Sequence, residues 1–380
     1  MKEKLKLVGI EKFFFNNENK RIILDNVNLT IYDGEFVCIL GYSGCGKSTL
    51  LRIIANFEEI EKGKIVLDGK TITKSTPKIF MMFQSFDQLF PWKTIKDNLV
   101  YALKATKIEE DKKRANNIAI EYLGLVGLSE YINSYPHQLS GGMKQRAALA
   151  RALSLKPDVL LMDEPLGSLD AITRNEIQKL ILDIWEKYKI TIVFVTHDMD
   201  EALKLADKIC IMKDGKIQQY DTVENLLRNP ANEFVKNFIG SDRLWNAPEY
   251  IKAKDIMIQN PVCVQGSRTV IQGMEIMRTN KVDSLLVKDK EDNFLGIVTV
   301  KELRRNGIQN HYLSEIMDKE PVFVYDDNNL VEILEVMNKE NIGHVPVITR
   351  YNKLAGLITR SSLLSVLSEQ FLEMEVSILD

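Results

Sequence analysis

Several features are scarce or missing in this sequence of 380 residues, and each absence removes a class of protein. The four cysteines are scattered, without a CxxC pair or metal-ligand spacing, so we expect reduced thiols in a cytoplasmic protein. No run of about 18 uncharged apolar residues occurs, which predicts no membrane span, and the charged stretch 1–15 does not resemble a signal peptide. The formal net charge of −3 provides no basic excess, which argues against nucleic-acid binding.

A phosphate-binding loop is the first positive signal. Residues 41–49 read GYSGCGKST and fit the pattern G-x-x-x-x-G-K-[ST]. The apolar run 35–40 before it has strand length, and residues 48–57 after it have the apolar spacing of a helix. In such a loop backbone N–H groups wrap the phosphates, the lysine reaches the outer phosphates and the serine hydroxyl binds Mg²⁺. The residues predicted to bind nucleotide are Gly41, Tyr42, Ser43, Gly44, Cys45, Gly46, Lys47, Ser48 and Thr49.

Three further motifs follow the loop in chain order. Residues 139–146 read LSGGMKQR, a glycine turn that opens a helix and provides a second anion-binding helix end. Residues 159–165, VLLMDEP, form an apolar strand that ends in two adjacent carboxylates, and residues 191–198, TIVFVTHD, form another that ends in a histidine. Phosphoryl transfer to water needs positioning and charge neutralisation, and these residue types supply both.

In this order over residues 1–240, the motifs resemble those of an ATP-binding cassette (ABC) ATPase, the motor subunit of a membrane transporter. The resemblance implies an α/β P-loop NTPase core with a helical signature subdomain, and ATP and Mg²⁺ as its ligands. In this family the signature of one subunit closes over the phosphate loop of another. The implied partners are a second ATPase subunit, identical or related, a transmembrane permease and an external solute-binding protein. The implied location is the cytoplasmic face of the membrane.

The resemblance also implies a role for each matching residue. Phe14 is implied to stack on adenine, with Phe13 and Phe15 as alternatives. Cys45 is interpreted as a small residue that fits the loop, because no histidine or aspartate partner is suggested for it. His137 has no chemical partner and is interpreted as structural. The remaining implied roles are Gln84 at Mg²⁺ and the attacking water, Ser140, Gly141 and Gly142 as the signature, Asp163 with Ser48 as Mg²⁺ ligands, Glu164 as general base, Asp170 at the subunit contact and His197 at the γ-phosphate.

The layout excludes two soluble classes of ABC protein. Translation-type proteins resemble a tandem of two cassettes, whereas one set of cassette motifs is present here. Chromosome-type ATPases place a long coiled coil between the phosphate loop and the signature, whereas about ninety residues without sustained heptads separate them here. Residues 86–99 resemble the region of importers that grips the permease, and Trp92 within them favours an interface. The segments LFPWKT, MKQR and 166–187 are similar to nitrate/sulfonate/taurine importers. Tyr42, where proline is usual, and Leu166, where phenylalanine is frequent, depart from that type.

The C-terminal part is an internal repeat with an offset of sixty residues. PVCV at 261–264 returns as PVFV at 321–324, and LGIVT at 295–299 returns as AGLIT at 355–359, which indicates duplication. The repeat resembles a pair of CBS domains, each α+β, which commonly bind adenine nucleotides and regulate their host. The predicted organisation is an ATP-binding domain at 1–240, a linker at 241–251 and CBS domains at 252–312 and 313–372.

The ribose-binding pattern of CBS domains, G-h-h-T-x-x-D, is incomplete in both repeats. Thr299 is followed by Glu302, and Thr359 by Ser362, where the pattern has aspartate. Two hypotheses stay open: a sensor of an adenine nucleotide or cyclic dinucleotide, and a dimerising or ionic-strength-sensing module without nucleotide. Cassettes with such a tail resemble glycine betaine/carnitine/choline importers, so the predicted solute is either of sulfonate type or an osmoprotectant. The alternative function is a nucleotide-sensing, CBS-regulated ATPase that serves a soluble partner.

Overall fold

The structure is a computed structural model that describes residues 2–16, 19–84, 88–167, 169–240, 243–244, 247–306 and 311–365. It divides into two compact units, Met1–Ile239 and Gly240–Asp380. Parts of the predicted segments therefore lie outside the described residues: 86–87 of the permease-binding stretch, 168 of the segment 166–187, 241–242 and 245–246 of the linker, 307–310 of the first CBS range and 366–372 of the second.

The first unit contains two sheets. A six-stranded sheet has the order β10-β9-β3-β8-β7-β6, in which all neighbours are parallel except β10 and β9, and a four-stranded antiparallel sheet has the order β2-β1-β4-β5. The strands are β1 (Glu3–Asn16), β2 (Asn19–Tyr32), β3 (Phe36–Gly41), β4 (Lys62–Leu67), β5 (Lys70–Ile72), β6 (Ile79–Met82), β7 (Val159–Asp163), β8 (Thr191–Val195), β9 (Lys208–Lys213) and β10 (Lys216–Thr222).

Sequence composition explains why the central strands are parallel and buried. Every residue of β3, β7 and β8 is buried, and these strands are continuous apolar runs rather than alternating ones. A strand covered on both faces needs this pattern, which is typical of parallel sheets. The core of the unit lies where these strands pack against the helix that follows β3 and against the antiparallel sheet.

Most helices of the first unit start at a side chain that caps the helix. Thr94, Asp111, Ser140, Asp170 and Asp198 each accept a hydrogen bond from a backbone N–H in the first turn. Such caps satisfy backbone donors that have no partner inside the helix. The helices are α1 (Lys47–Ile54), α2 (Ile95–Ala105), α3 (Lys112–Leu125), α4 (Gly141–Ser154), α5 (Ala171–Tyr188), α6 (Met199–Leu205), α7 (Val223–Arg228) and α8 (Glu233–Ile239).

The second unit contains two three-stranded sheets, one from each repeat. In each sheet the middle strand is parallel to the first and antiparallel to the last. The elements are α9 (Ala253–Ile256), β11 (Cys263–Gln265), α10 (Val270–Asn280), β12 (Ser284–Lys288), β13 (Phe294–Thr299), α11 (Val300–Asn306), α12 (Leu313–Ile316), β14 (Val324–Tyr325), α13 (Leu330–Lys339), β15 (His344–Ile348) and β16 (Leu354–Thr359).

The two repeats exchange their first helices. Ala253 and Ile256 of α9 are buried in the core formed with β14, α13, β15 and β16, whereas Leu313 and Ile316 of α12 are buried in the core formed with β11, α10, β12 and β13. The backbone bonds follow the same symmetry, since the Ala253 N–H donates to Asn328 and the Leu313 N–H donates to Arg268, both at 2.8 Å. Each packed core therefore draws on both repeats of the sequence.

Two expectations about the whole chain have direct structural counterparts. The four cysteines are all free, and three of them are buried. In the part of the chain that the structure describes, every helix is too short or too polar to cross a lipid bilayer.

Candidate functional site

The predicted catalytic and phosphate-binding residues follow four neighbouring strands of the central sheet. Strands β3, β8, β7 and β6 are adjacent and parallel, so their carboxyl ends meet at one edge. In open α/β sheets ligands bind at this edge. Within two residues of these strand ends come the phosphate loop after β3, His197 after β8, Glu164 after β7 and Gln84 after β6.

The phosphate loop is folded around the side chain of Lys47. Its ammonium group donates to the carbonyl oxygen of Gly41 at 2.7 Å and to that of Tyr42 at 3.2 Å. Gly46, with φ +105°, could not carry a side chain, because a Cβ atom there would lie 2.8 Å from the carbonyl oxygen of Ile23. The loop is therefore a tight backbone cradle with a cation at its centre and a helix N-terminus behind it, the arrangement that binds phosphate.

Cys45 is a buried part of this cradle. Its side chain is 7% exposed, and burial raises the pKa of its thiol. A Cβ atom on Gly41 would lie 2.6 Å from the Cys45 sulfur, so the thiol fills space directly beneath the loop. A protonated, buried thiol is a poor nucleophile, in agreement with its interpretation as a small packing residue.

Ser48 and Asp163 form the oxygen pair predicted to hold Mg²⁺. The Ser48 hydroxyl donates to a carboxylate oxygen of Asp163 at 2.9 Å. Burial raises the pKa of Asp163, and the charge of Glu164 raises it further, against the hydrogen bond from Ser48. Two hard oxygen ligands beside a phosphate cradle fit Mg²⁺, which usually takes one or two protein ligands and completes its shell with phosphate and water. Among the described residues no group of three or more His, Cys, Asp or Glu side chains forms a metal cluster.

Glu164 is the point at which three of the strand ends converge. One of its carboxylate oxygens accepts from the Gln84 amide at 3.2 Å and lies 3.4 Å from Nδ1 of His197. The backbone of Glu164 has φ +43°, a left-handed conformation that costs a non-glycine residue about 1–3 kcal/mol. Its N–H donates to the Val195 carbonyl at 3.0 Å, which fixes the turn to β8. Strain of this kind at the meeting point of three polar side chains is typical of a functional site.

Phe14 lies on β1, outside this edge of the central sheet. Its ring is 45% exposed, and the ammonium group of Lys12 stands 4.8 Å from the ring centre. Of the alternatives, Phe15 is 72% exposed and contacts Phe13 edge to face at 5.4 Å, and Lys20 stands over the Phe13 ring. Phe14 and Phe15 both keep an accessible aromatic ring, so exposure does not choose between them.

The signature residues lie at the start of a different helix. Ser140 is the N-cap of α4 and accepts from the Met143 N–H at 3.3 Å, with Gly141 and Gly142 in the first turn. A Cβ atom on Gly142 would lie 2.4 Å from the Thr173 methyl group on α5, so glycine permits this close packing. No hydrogen bond among the described residues joins Ser140, Gly141 or Gly142 to the phosphate loop of the same chain.

Asp170 is also a helix cap. It accepts from the Ile172 and Thr173 N–H groups at 3.1 and 3.0 Å and from the Thr173 hydroxyl at 2.7 Å. These hydrogen bonds, the Thr173 N–H first, lower the pKa of Asp170. The carboxylate is therefore held as an anion at the exposed N-terminus of α5.

Sequence reasoning missed one contact of the phosphate loop. Tyr42 stands edge to face with Phe238 at 5.3 Å and with Phe234 at 6.0 Å, and both phenylalanines belong to α8. The signal was present, because an aromatic residue replaces the usual proline and α8 carries two aromatic residues four positions apart, on one helix face. The loop is thus packed against the last helix of the first unit.

The predicted CBS ligand residues are engaged in helix capping. Glu302 accepts from the Thr299 N–H at 2.9 Å and from the Thr299 hydroxyl, and these hydrogen bonds lower the pKa of its carboxyl group against the opposing effect of burial. In the second repeat the Ser362 hydroxyl accepts from the Thr359 N–H at 2.9 Å, while the Thr359 hydroxyl accepts from the Ser362 N–H at 2.9 Å. Both pairs close the turn between a strand and the following segment.

A cavity of about 640 Å³ lies between the two repeats. Its lining mixes charged and hydroxyl groups from both halves, including Lys281 and Asp283 from the first repeat and His344, Thr359 and Arg360 from the second. Of the four predicted CBS ligand residues, this lining includes Thr359.

Comparison with known proteins decides the family. Residues 24–167 match the model of the ABC transporter family, and residues 253–308 and 313–369 match that of the CBS domain. The glycine betaine/carnitine/choline transport ATP-binding protein OpuCA of Bacillus subtilis (strain 168) is 38% identical over 369 residues, which are 95% of this chain and 96% of that protein. This chain belongs to the ABC transporter family.

Two further likenesses place this ABC transporter protein more closely. The nitrate import ATP-binding protein NrtD of Synechococcus elongatus is 44% identical over 206 residues, 54% of this chain and 75% of that protein. The solved structure of the ATP-binding cassette MJ0796, a dimer in a post-hydrolysis state bound to ADP and Pi, has a TM-score of 0.53 and 33% identity and covers 58% of this chain and 98% of that chain.

These comparisons confirm several predictions from the sequence. The ABC family, the α/β P-loop fold followed by a CBS pair, and the identity of the chain as the ATP-hydrolysing subunit of an ABC importer are confirmed. Both predicted likenesses are also found, to a nitrate importer over about half of the chain and to an osmoprotectant importer over nearly all of it.

Proposed function

We propose that this ABC transporter ATPase energises the import of a quaternary ammonium osmoprotectant of the glycine betaine, carnitine and choline class. The extent of the similarity carries the proposal. The OpuCA relative matches 95% of this chain, both units included, whereas the nitrate relative matches 206 residues, fewer than the first unit contains. Because this chain and the OpuCA relative are similar over both the ATPase unit and the CBS unit, a similar transported solute is favoured.

The phosphate loop would bind ATP through its backbone N–H groups and Lys47, and Phe14 would stack on the adenine. Lys47 now donates to two loop carbonyls, so its ammonium group is already positioned at the place where the outer phosphates would lie. Ser48, Asp163 and Gln84 would hold Mg²⁺, which neutralises charge on the β- and γ-phosphates when it is bound. The raised pKa of Asp163 fits a buried carboxylate that awaits a cation.

Hydrolysis would take place beside Glu164. A water molecule attacks the γ-phosphorus and its proton passes to the Glu164 carboxylate, while the bond from phosphorus to the β–γ bridging oxygen breaks and ADP leaves. Gln84 and His197 contact one carboxylate oxygen of Glu164, which orients the base. The exposed imidazole of His197 is available to contact the γ-phosphate.

The complete site would need a second ATPase subunit. The signature residues Ser140, Gly141 and Gly142 are not bonded to the phosphate loop of their own chain among the described residues, and the MJ0796 likeness is a dimer. A head-to-tail dimer would bring the signature and Asp170 of one subunit to the nucleotide of the other. At the cytoplasmic face of the membrane, closing and opening of this dimer would drive a transmembrane permease. An external solute-binding protein would deliver the solute to that permease.

The CBS pair would regulate this cycle. The cavity between the repeats has cationic groups in Lys281 and Arg360, which suit the phosphates of an adenine nucleotide or a cyclic dinucleotide. Thr359 lies in the lining of this cavity, and its hydroxyl accepts from the Ser362 N–H. Like Thr299, Glu302 and Ser362, it would contribute to a ligand by rearranging its capping bond.

The test is ATPase activity of the complex reconstituted in membranes with its permease and solute-binding protein. We expect glycine betaine to stimulate hydrolysis and taurine or an alkyl sulfonate to leave it unchanged. Stimulation by the sulfonate alone would refute the osmoprotectant and support the second candidate, a sulfonate or nitrate importer, which the 44% identity to the nitrate relative favours. A chain that hydrolyses ATP and forms no complex with any permease would instead support a soluble, nucleotide-sensing ATPase.

A further inference from the structure

Arg174 connects two loops that carry proposed site residues. It lies in the first turns of α5, and one of its terminal nitrogens donates to the carbonyl oxygen of Leu169 at 3.1 Å. Leu169 immediately precedes Asp170, the cap of the same helix. The guanidinium group is thus fixed at the backbone of the loop that would meet the second subunit.

The other side of the same guanidinium group faces the turn that carries His197. A second terminal nitrogen lies 3.8 Å from a carboxylate oxygen of Asp198, and Nε lies 3.7 Å from a carboxylate oxygen of Glu201. Nε is buried and has no hydrogen-bond partner among the described residues, and it faces Glu201 in this long ion pair. Arg174 therefore spans from the Asp170 loop to the His197 turn.

Through Thr196, Glu201 is hydrogen-bonded to the residues on both sides of His197. Its second carboxylate oxygen accepts from the Thr196 hydroxyl at 2.7 Å, and that hydroxyl accepts from the Asp198 N–H at 3.0 Å. Thr196 and Glu201 are 2% and 5% exposed, so water competes little for these bonds. The Thr196 N–H donates to the Ile39 carbonyl of β3, which anchors the turn to the strand before the phosphate loop.

The bonds that fix the turn 196–198 are made by Thr196 and Asp198 and not by the His197 side chain. The imidazole is 66% exposed and has Glu164, at 3.4 Å, as its contact among the described polar groups. Its direction is consequently set by the backbone of Thr196 and Asp198, which the Thr196–Glu201–Arg174 chain fixes. Glu201 is buried and Arg174 is 33% exposed, with its Nε atom buried, so the carboxylate has this guanidinium group as its partner across the two loops.

We propose that Arg174 and Glu201 are positioning residues that hold His197 in register with the Asp170 loop. The inference rests on the proposed role of His197 in hydrolysis and goes beyond it, since it ties the histidine of one site to the loop that would contact the second subunit. If that loop moves when the dimer closes, the Arg174 guanidinium group would transmit the movement to the turn that carries His197.

The test uses the full-length chain with Mg²⁺ and ATP, and compares Arg174→Gln, Arg174→Lys and Glu201→Gln with wild type. We expect kcat to fall about tenfold in Arg174→Gln, the loss typical of one shared polar network, with ATP affinity retained. Lysine keeps the charge without the planar, three-way geometry, so Arg174→Lys should recover only part of kcat. Arg228→Lys is the matched control, because Arg228 is a partly buried arginine whose ion pair with Glu224 lies within α7.

A double-mutant cycle separates positioning from stability. If Arg174 acts through His197, adding Arg174→Gln to His197→Ala should lower kcat by less than about twofold, whereas independent effects would multiply. Multiplying effects, or an unchanged kcat in Arg174→Gln, would overturn the inference. If Arg174→Gln does not fold, Thr196→Val, which keeps the shape and removes the hydroxyl, replaces it in the same cycle. A wild-type kcat in His197→Ala would instead refute the proposed role of His197.

Discussion

Each unit of the chain has a glutamate shortly after a strand, Glu164 after β7 and Glu302 in the first turn of α11, and their contacts differ. In the ATPase unit, Glu164 contacts Gln84 and His197, which come from two other strands, and its own backbone is left-handed. In the CBS unit, Glu302 accepts from Thr299, three residues before it in the chain. A carboxylate that is held by distant elements and strained locally indicates a site. A carboxylate that accepts from the start of its own helix has a capping role there.

The largest effect should come from Glu164→Gln. The amide keeps the shape and the contact to Gln84 but cannot take a proton from water, so kcat should fall about 10²–10⁴-fold while ATP affinity is retained. Steady-state hydrolysis and equilibrium ATP binding by the full-length chain measure both quantities.

Glu332→Gln is the matched control from the CBS unit. Glu332 accepts from the Asn329 N–H at 3.0 Å as part of the cap of α13, so its loss should leave kcat unchanged. If Glu164→Gln hydrolyses ATP at the wild-type rate, Glu164 is not the base. The contrast between Glu164 and Glu302 would then fail as well.

The next effect compares glycines of the two units. In Gly46→Ala the new methyl group would lie 2.8 Å from the Ile23 carbonyl oxygen and from a Leu24 methyl group, at φ +105°. We expect a loss of about 1–3 kcal/mol in the free energy of unfolding and a weaker ATP affinity, because the cradle must shift. Gly343→Ala meets nothing within 4 Å, so its free energy of unfolding should change by less than about 0.5 kcal/mol. Equal losses in the two variants, by denaturant titration, would contradict this account.

A smaller effect is expected at Ser362, where the CBS pattern has aspartate. Ser362→Ala removes the acceptor for the Thr359 N–H and should cost the second unit about 1 kcal/mol of unfolding free energy. Ser362→Asp keeps a capping acceptor and adds the carboxylate that the ribose pattern requires, so calorimetry should show tighter binding of an adenine nucleotide. If the aspartate variant binds nucleotide no better than wild type, the missing carboxylate is not what limits the CBS site.

Much of the ATPase site could be predicted because its residues end apolar runs. Buried strands such as β7 and β8 are legible in sequence, and parallel strands put their carboxyl ends at one edge, so Glu164 and His197 were expected there. The contact of Tyr42 with α8 joins residues about 190 positions apart, and no periodicity reports such packing. Arg174 and Glu201 were missed for the same reason, since each looks like an ordinary charge on an amphipathic helix.

The CBS unit shows a different limit of prediction. The offset of sixty residues reveals the duplication and the strand order within each repeat, because both copies carry the same apolar pattern. The exchange of α9 and α12 between the two cores is invisible in that pattern. Exchanged and unexchanged arrangements bury the same residues, such as Ile256 and Ile316, and differ only in which copy they pack against.

The smallest effect concerns two aspartates whose pKa values shift in opposite directions. Two hydrogen bonds from Arg350 to one carboxylate oxygen lower the pKa of Asp327 in the CBS unit, whereas burial raises the pKa of Asp163 in the ATPase unit. A carboxyl group whose pKa is lower in the folded chain stabilises the fold at pH values above its unfolded pKa of about 3.9, and this stabilisation disappears as the pH falls through the folded pKa. A carboxyl group whose pKa is higher in the folded chain destabilises the fold at neutral pH. Asp327→Asn should therefore slightly destabilise its unit at neutral pH, and Asp163→Asn should stabilise its own.

Denaturation of both variants and wild type, from about pH 7 down to about pH 3, measures these differences. Both should shrink toward acid, because the carboxyl groups of folded and unfolded chains are then protonated alike. The Asp327 difference should persist to lower pH than the Asp163 difference, since the folded pKa of Asp327 lies below the unfolded value and that of Asp163 above it. If Asp163→Asn instead destabilises its unit at neutral pH, the hydrogen bond from Ser48 stabilises the Asp163 carboxylate by more than burial destabilises it. Asp163 would then stabilise the site even when no cation is bound.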